Sequence, residues 1–181
     1  MKRGTGIMDD LFVEILIKKE KGFKDTLIKT FCIALIVFFA ALGLILHPAF
    51  LIGIPVMVLI LYFPVAKLDL EYEYLYVNGT LDIDRIYAKR RRKSAASYEL
   101  GQMEIFAKKD SPRLDPYKNN NVIKVRDFTS GDPEREDGVY GFVISYRGNR
   151  ELVYIEPNEK MLKDIRARNT SRVFLQDRLY G

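Results

Sequence analysis

The feature that most constrains this chain is an uncharged stretch of 37 residues, from Thr30 to Ala66. A membrane-spanning helix rises ~1.5 Å per residue and crosses ~30 Å of hydrocarbon, so it needs about 20 apolar residues. One continuous helix through the stretch would overshoot the bilayer by roughly 25 Å. Because proline disfavours helical geometry in the residue before it, a turn is expected at His47-Pro48. The stretch therefore predicts a transmembrane hairpin of two spans, residues 27–46 and 49–66.

The charges around this hairpin predict its orientation. Six lysines and arginines precede Leu27, and Lys67 and the cluster Lys89–Lys93 follow the second span, whereas the turn at His47 carries none. Loops rich in lysine and arginine stay on the cytoplasmic side of a membrane. We therefore expect a multi-pass protein of the cytoplasmic membrane with both termini in the cytoplasm. A buried helical pair in a soluble protein is the alternative.

Residues 1–26 are expected to form a short cytoplasmic arm. Acidic residues at Asp9-Asp10 precede a mainly apolar segment from Leu11 to Leu16, and lysines follow it. This order suits a helix dipole, and the apolar spacing is typical of an amphipathic helix on the membrane surface. A strand or helix docked on the soluble domain fits the same residues equally well, so both interpretations stay open.

Residues 67–181 are enough for one small domain, and their pattern is mainly β. Leu68 to Tyr76 alternates apolar and acidic residues, and Asn78-Gly79 predicts a tight hairpin because both residues tolerate positive φ. Further strands are expected at 80–84, 98–107, 122–128, 139–146 and 151–156, and an amphipathic helix at about 157–168. The expected core includes Leu70, Tyr72, Leu81, Ile83, Val125, Phe142, Ile144, Val153 and Ile165.

About six antiparallel strands closed by a C-terminal helix is the layout of a pleckstrin-homology-like barrel. The two-span anchor, the segment Tyr72-Glu73-Tyr74, the turn Asn78-Gly79-Thr80-Leu81 and a basic run follow one another in this chain. In the order of these features the chain resembles the membrane-anchored pleckstrin-homology-like proteins of bacteria, and most of all an uncharacterised group in Firmicutes. The resemblance covers residues 67–169. It implies the fold and a cytoplasmic domain, and it brings no activity with it.

The basic run is the candidate binding site, and its five consecutive cations are Lys89, Arg90, Arg91, Arg92 and Lys93. It follows the second span by about 25 residues and can reach the cytoplasmic leaflet, where each cation contributes ~1 kcal/mol near anionic lipid. The run is therefore expected to bind anionic headgroups or an acidic protein partner. The alternative is a solvated loop that only helps to set the topology.

Two further groups of residues are assigned structural roles. A stripe of tyrosines is expected in the core rather than on a binding surface, namely Tyr72, Tyr74, Tyr76 and Tyr87. Two carboxylate pairs are expected on solvated strand faces rather than in a glycosidase-like site, namely Glu71 with Glu73 and Asp82 with Asp84.

The soluble domain lacks the residues that most catalytic sites require. The single cysteine, Cys32, and the single histidine, His47, lie in the hairpin, so no disulfide, His-based triad or zinc site is expected in the domain. No Gly-x-Gly-x-x-Gly or Walker-type loop is present, so no cofactor is expected. Residues 67–181 hold 22 cations interleaved with 19 acids, a balance that does not indicate nucleic-acid binding.

The sequence therefore predicts a non-enzymatic, membrane-anchored cytoplasmic domain that binds or scaffolds a protein partner or anionic lipid headgroups. The alternative is an accessory or regulatory subunit of a membrane complex for transport or signalling. In that case the spans pack against other helices, and small residues such as Ala40, Ala41 and Gly43 suit close packing. The sequence does not specify an oligomeric state.

Overall fold

A computed structural model of the protein describes residues 11–20, 22–45, 48–55, 58 and 69–175. Contacts divide the chain into two units. The first unit consists of Met1–Ile17, Tyr72–Asp84 and Ser94–Gly181, and the second of Lys18–Glu71 and Arg85–Lys93.

The described residues form two sheets. In chain order their strands are β1 Phe12–Lys18, β2 Leu70–Val77, β3 Thr80–Tyr87, β4 Arg91–Glu99, β5 Ile105–Lys108, β6 Lys124–Asp127, β7 Tyr140–Tyr146, β8 Asn149–Ile155 and β9 Val173–Phe174. The α-helices described over their whole length are α1 Phe23–Ile45, α2 Asp115–Lys118 and α3 Glu159–Arg168, and residues 53–55 are also helical. The first sheet has the order β1-β2-β3-β4 and the second the order β6-β8-β7-β5-β9.

Strand β1 lies in the segment for which the sequence left two interpretations open. Lys19 N donates to Leu70 O at 3.0 Å and Asn78 N donates to Leu11 O at 3.3 Å, so β1 runs antiparallel to β2. Val13 and Ile17 are buried, whereas Phe12 and Leu16 on the other face are exposed. The interpretation as a surface helix is therefore wrong for these residues, which form the docked strand instead. The alternation of β-branched residues at positions 13, 15 and 17 favours this outcome.

The first unit has its core where the two sheets and α3 meet. Tyr98 of β4 packs edge-on against Phe142 of β7, with ring centroids 5.4 Å apart. Helix α3 starts where the Asn158 side chain accepts from Met161 N at 2.9 Å, and Met161 and Ile165 are buried one turn apart. The predicted mainly-β domain with a C-terminal helix is thus confirmed, with Pro157 before the cap rather than in the first turn.

Seven of the nine predicted core residues are buried. Leu70 is only half-buried, and Val125 is 51% exposed. Val125 was misplaced because β6 is an edge strand of its sheet, so one flank of the strand lacks a covering neighbour. The predicted strand 98–107 was also wrong in its bounds, since β4 begins at Arg91 and a 3-10 turn at Leu100–Gln102 separates it from β5.

The second unit contains the apolar helix. Within α1, residues Thr26–Ile45 form a helix of 20 residues that is long and apolar enough to cross a membrane, and no other helix of the described chain meets that test. A 3-10 turn, Pro48–Ile52, follows and packs back on α1 so closely that a Cβ at Gly43 would collide with the Leu51 side chain. Most of the predicted second span lies outside the described residues.

Ile144→Ala tests the assigned core. Ile144 is 2% exposed in β7, so truncation should lower the free energy of unfolding by about 2–5 kcal/mol. Thermal unfolding of the full chain in detergent, followed by circular dichroism, should therefore show a clearly lower Tm. Ser145→Ala at the exposed neighbouring position is the control and should leave Tm nearly unchanged. Equal Tm values for the two variants would contradict the assignment.

Candidate functional site

The basic run lies at the tip of the hairpin that joins β3 to β4. Ala88 and Lys89 have φ of 49° and 56°, and Arg90 N donates to Tyr87 O at 3.1 Å. Positive φ at both central residues defines a type I′ turn, whose twist matches that of the flanking strands. The chain thus turns within the basic run, and the remaining cations continue into β4.

All five predicted cations, Lys89–Lys93, are exposed. Successive side chains of a strand point to opposite faces, so Arg91 and Lys93 share one face of β4 and Arg92 lies on the other. The run is not a loop throughout, because Arg91–Lys93 are part of a strand and only Lys89 and Arg90 lie in the turn. The alternative of a solvated segment that helps to set the topology stays a prediction.

Backbone hydrogen bonds bring two further lysines to the same end of the first sheet. Lys19 pairs with Leu70, and Ala88 N in the hairpin turn donates to Asp69 O at 2.8 Å. Strands β1, β2 and β3 therefore place Lys18-Lys19 and the basic run at one end of the sheet. We call the residues Lys18, Lys19 and Lys89–Lys93 the basic end. Sequence reasoning missed the two lysines because it did not predict the pairing of β1 with β2.

The basic end is close to the start of α1. Helix α1 begins at Phe23, four residues after Lys19, and an extended chain spans at most ~3.6 Å per residue. The two Cα atoms are therefore no more than ~14 Å apart. Asp69 and Leu70, at the other end of the uncharged stretch, are bonded to the same part of the sheet. The basic end therefore lies close to the start of α1 and to the residues that follow the uncharged stretch.

The tyrosine stripe lies in the core, as predicted. Tyr72, Tyr74 and Tyr76 are buried, while Tyr87 is half-buried. Tyr74 Oη donates to Phe128 O at 2.7 Å, and Tyr76 Oη donates to Asp164 Oδ2 of α3 at 2.6 Å. Desolvation raises the pKa of both phenols, so they stay protonated and act as hydrogen-bond donors.

The carboxylate pairs are less exposed than the sequence predicted. Glu71 and Glu73 are only 7% and 5% exposed, so the prediction of a solvated face for them is wrong. Their strand β2 lies between β1 and β3, and side chains from both neighbours shield it. Asp82 and Asp84 on β3 are half-buried.

Two other buried carboxylates of the first unit hold its strands and loops together. Glu151 accepts from Tyr98 Oη at 2.9 Å and from Arg126 Nε at 3.1 Å. Desolvation and then the Glu151 charge raise the pKa of Tyr98 and keep it a donor. Glu156 accepts from both Ser130 N and Ser130 Oγ at 2.6 Å. These pairings assign both carboxylates a structural role.

The described part of the chain contains no group of three histidine, cysteine, aspartate or glutamate side chains that could hold a metal ion. A groove of about 510 Å³ lies beside the turn at Asn78 and the end of α3. Of its lining residues, Arg168 donates to Asn78 Oδ1 at 3.4 Å and to Asp164 Oδ2 of α3 at 2.7 Å. His47 and Lys67 lie outside the described residues.

The sequence matches the model of one protein family, described as a bacterial PH-like domain (DUF6106), over residues 9–175. The chain belongs to this PH-like domain family. The match confirms the PH-like domain that the strand pattern predicted, and it includes β1 and the uncharged stretch as well as the later strands. No curated protein and no solved structure matches the chain.

Replacing Ala88 by glycine tests the turn that presents the basic end in this PH-like protein. A left-handed conformation is strained for a residue with a Cβ, so Ala88→Gly should stabilise the chain by about 1 kcal/mol. Ala95→Gly, the same change in the extended strand β4, should instead destabilise it by ~0.5–1 kcal/mol. Thermal unfolding in detergent should therefore give Tm shifts of opposite sign, and shifts of the same sign would argue against the type I′ turn.

Proposed function

We propose that this chain is a non-enzymatic, membrane-anchored PH-like domain whose basic end contacts anionic lipid headgroups of the cytoplasmic leaflet. The observation that carries the proposal is the 3.0 Å bond from Lys19 N to Leu70 O. This bond joins the residues that precede and follow the uncharged stretch, so the cations of the basic end lie where the chain enters and leaves the apolar segment.

The same bond supports a two-span anchor. If α1 crosses the membrane, the chain has to return, because Lys19 and Leu70 are neighbours in one sheet. A single crossing would separate β1 from β2 by the ~30 Å of the hydrocarbon core. An even number of crossings satisfies the pairing, and the residues available for the return are 49–66. Both termini are then on the side of the basic end, which the positive-inside rule makes cytoplasmic.

The charges of the basic end favour an anionic surface. It has seven cations, and the acids nearest to them along the same strands and loop are Glu20, Asp69 and Glu71, which leaves a net charge of +4. At ~1 kcal/mol per charge near an anionic leaflet, the attraction is about 4 kcal/mol. This interaction orients a domain that the spans already hold at the membrane.

A second candidate function, accessory subunit of a membrane complex, is favoured by a different observation. Phe12 and Leu16 are 61% and 56% exposed on β1, an edge strand of the first sheet. Apolar side chains on an uncovered edge strand suit a protein partner. Phe12 and Leu16 are not themselves part of the basic end, so the two functions are compatible.

The lipid contact is tested on the full chain in detergent micelles. Arg90→Ser, Arg91→Ser and Arg92→Ser together remove three exposed cations and should weaken retention of phosphatidylglycerol by about 100-fold or more. Native mass spectrometry counts the lipids retained during titration with phosphatidylglycerol or phosphatidylcholine. We expect the unaltered chain to prefer phosphatidylglycerol and the triple variant to lose that preference.

The matched control removes three exposed cations from α3 by Lys160→Ser, Lys163→Ser and Arg166→Ser. It lowers the net charge equally but leaves the basic end intact, so its lipid preference should be that of the unaltered chain. Equal losses in the two triple variants would indicate a general charge effect, and no loss in the first would refute the lipid contact.

The topology is tested with reporter fusions. Reporters that distinguish the two sides of the membrane are placed after Gly181 and at His47. The proposal expects a cytoplasmic signal from the first position and an external signal from the second, because the chain crosses between them. A cytoplasmic signal from both positions would exclude a spanning hairpin, and an external signal after Gly181 would exclude the assigned orientation.

A further inference from the structure

The exposed segment that carries the basic run ends in a serine. Lys89–Lys93 are followed directly by Ser94, and all six residues are exposed. Ser94 lies in β4, which is an edge strand of the first sheet. One backbone flank of an edge strand has no neighbouring strand, so the extended chain is accessible to another protein.

We propose that Ser94 is a phosphorylation site through which a serine kinase that recognises basic residues weakens the lipid contact of the basic end. The inference rests on the proposed function. Ser94 Oγ attacks the γ-phosphorus of ATP, a new O–P bond forms, and the bond to the β-phosphate oxygen breaks. The hydroxyl proton is released to solvent and ADP leaves, so the reaction needs no other reactant.

The position of Ser94 makes such a modification electrostatically effective. A phosphoserine carries a charge of ~−1.5 to −2 at pH 7, so it offsets up to two of the neighbouring cations. A strand rises ~3.3 Å per residue, which puts Ser94 about 7 Å from Arg92 and about 10 Å from Arg91 along the chain. Screening at physiological ionic strength acts over ~8 Å, so the nearest cations feel most of the phosphate charge.

Ser171 is a competing site because Arg168 precedes it by three residues. The Arg168 Nε, however, donates to Asp164 Oδ2 at 2.7 Å, and its side chain is only 24% exposed. The cation that a kinase would recognise before Ser171 is therefore only partly accessible. The five cations before Ser94 are exposed, so Ser94 is the better substrate.

The first experiment locates the phosphate. The full chain in detergent micelles is incubated with ATP and a purified serine kinase of basic specificity, and peptide mass spectrometry maps the product. We expect phosphate on Ser94 in the unaltered chain and little there after Arg90→Ser, Arg91→Ser and Arg92→Ser. A synthetic peptide of residues 87–97 serves as the positive control. Phosphate on the peptide but not on Ser94 of the folded chain would overturn the proposal.

The second experiment measures the consequence. Phosphorylated chain should retain phosphatidylglycerol about 30-fold more weakly in native mass spectrometry, as expected for two neutralised cations. Ser94→Asp, with one added negative charge, should weaken retention about fivefold. Ser97→Asp adds the same charge on the same strand but lies about 13 Å from Lys93, and should change retention less than twofold.

The outcomes separate this inference from the proposed function. If the unmodified chain prefers phosphatidylglycerol and phosphorylation leaves its retention unchanged, the proposed effect of Ser94 phosphorylation is overturned. The lipid contact itself would remain supported. Equal retention of phosphatidylglycerol and phosphatidylcholine by the unmodified chain would overturn the proposed function. The proposed effect of Ser94 phosphorylation, which rests on it, would be overturned as well.

Discussion

The pairing of β1 with β2 is the constraint on which the rest of the structure depends. The chain leaves the first sheet at Lys19 and returns to it at Asp69-Leu70, so the uncharged stretch is an insertion between two neighbouring strands. Any location of the apolar segment has to allow Lys19 and Asp69-Leu70, which precede and follow it, to stay at one end of the sheet. The family match, which covers residues 9–175 and so includes the uncharged stretch as well as the strands, agrees with this arrangement.

The local patterns of the sequence were sufficient for much of the fold. Asn78-Gly79 predicted its hairpin, the tyrosine alternation predicted the buried face of β2, and the spacing of Met161 and Ile165 predicted α3. These signals depend on neighbours in the chain, which a sequence shows directly. The type I′ turn at Ala88-Lys89 was missed because neither residue is typical of a positive φ.

The remaining errors concern contacts between residues distant in the chain. The pairing of β1 with β2 joins residues more than 50 positions apart along the chain, and no local pattern specifies it. The burial of Glu71 and Glu73 follows from that pairing, because β1 makes β2 an internal strand. The edge position of β6, which leaves Val125 exposed, depends likewise on sheet order. Lys18 and Lys19 of the basic end were missed for the same reason.

The proposed membrane anchor changes what the basic end has to achieve. A tethered surface experiences an effective ligand concentration in the millimolar range, and a dissociation constant of 1 mM corresponds to about 4 kcal/mol. A net charge of +4 at ~1 kcal/mol per charge supplies about that amount. The proposed contact would therefore be near half occupancy, where a change of two charges would shift the domain between a membrane-apposed and a released orientation. A free protein would need many more cations for the same response, whereas the proposed two-span anchor would make a small basic surface sufficient.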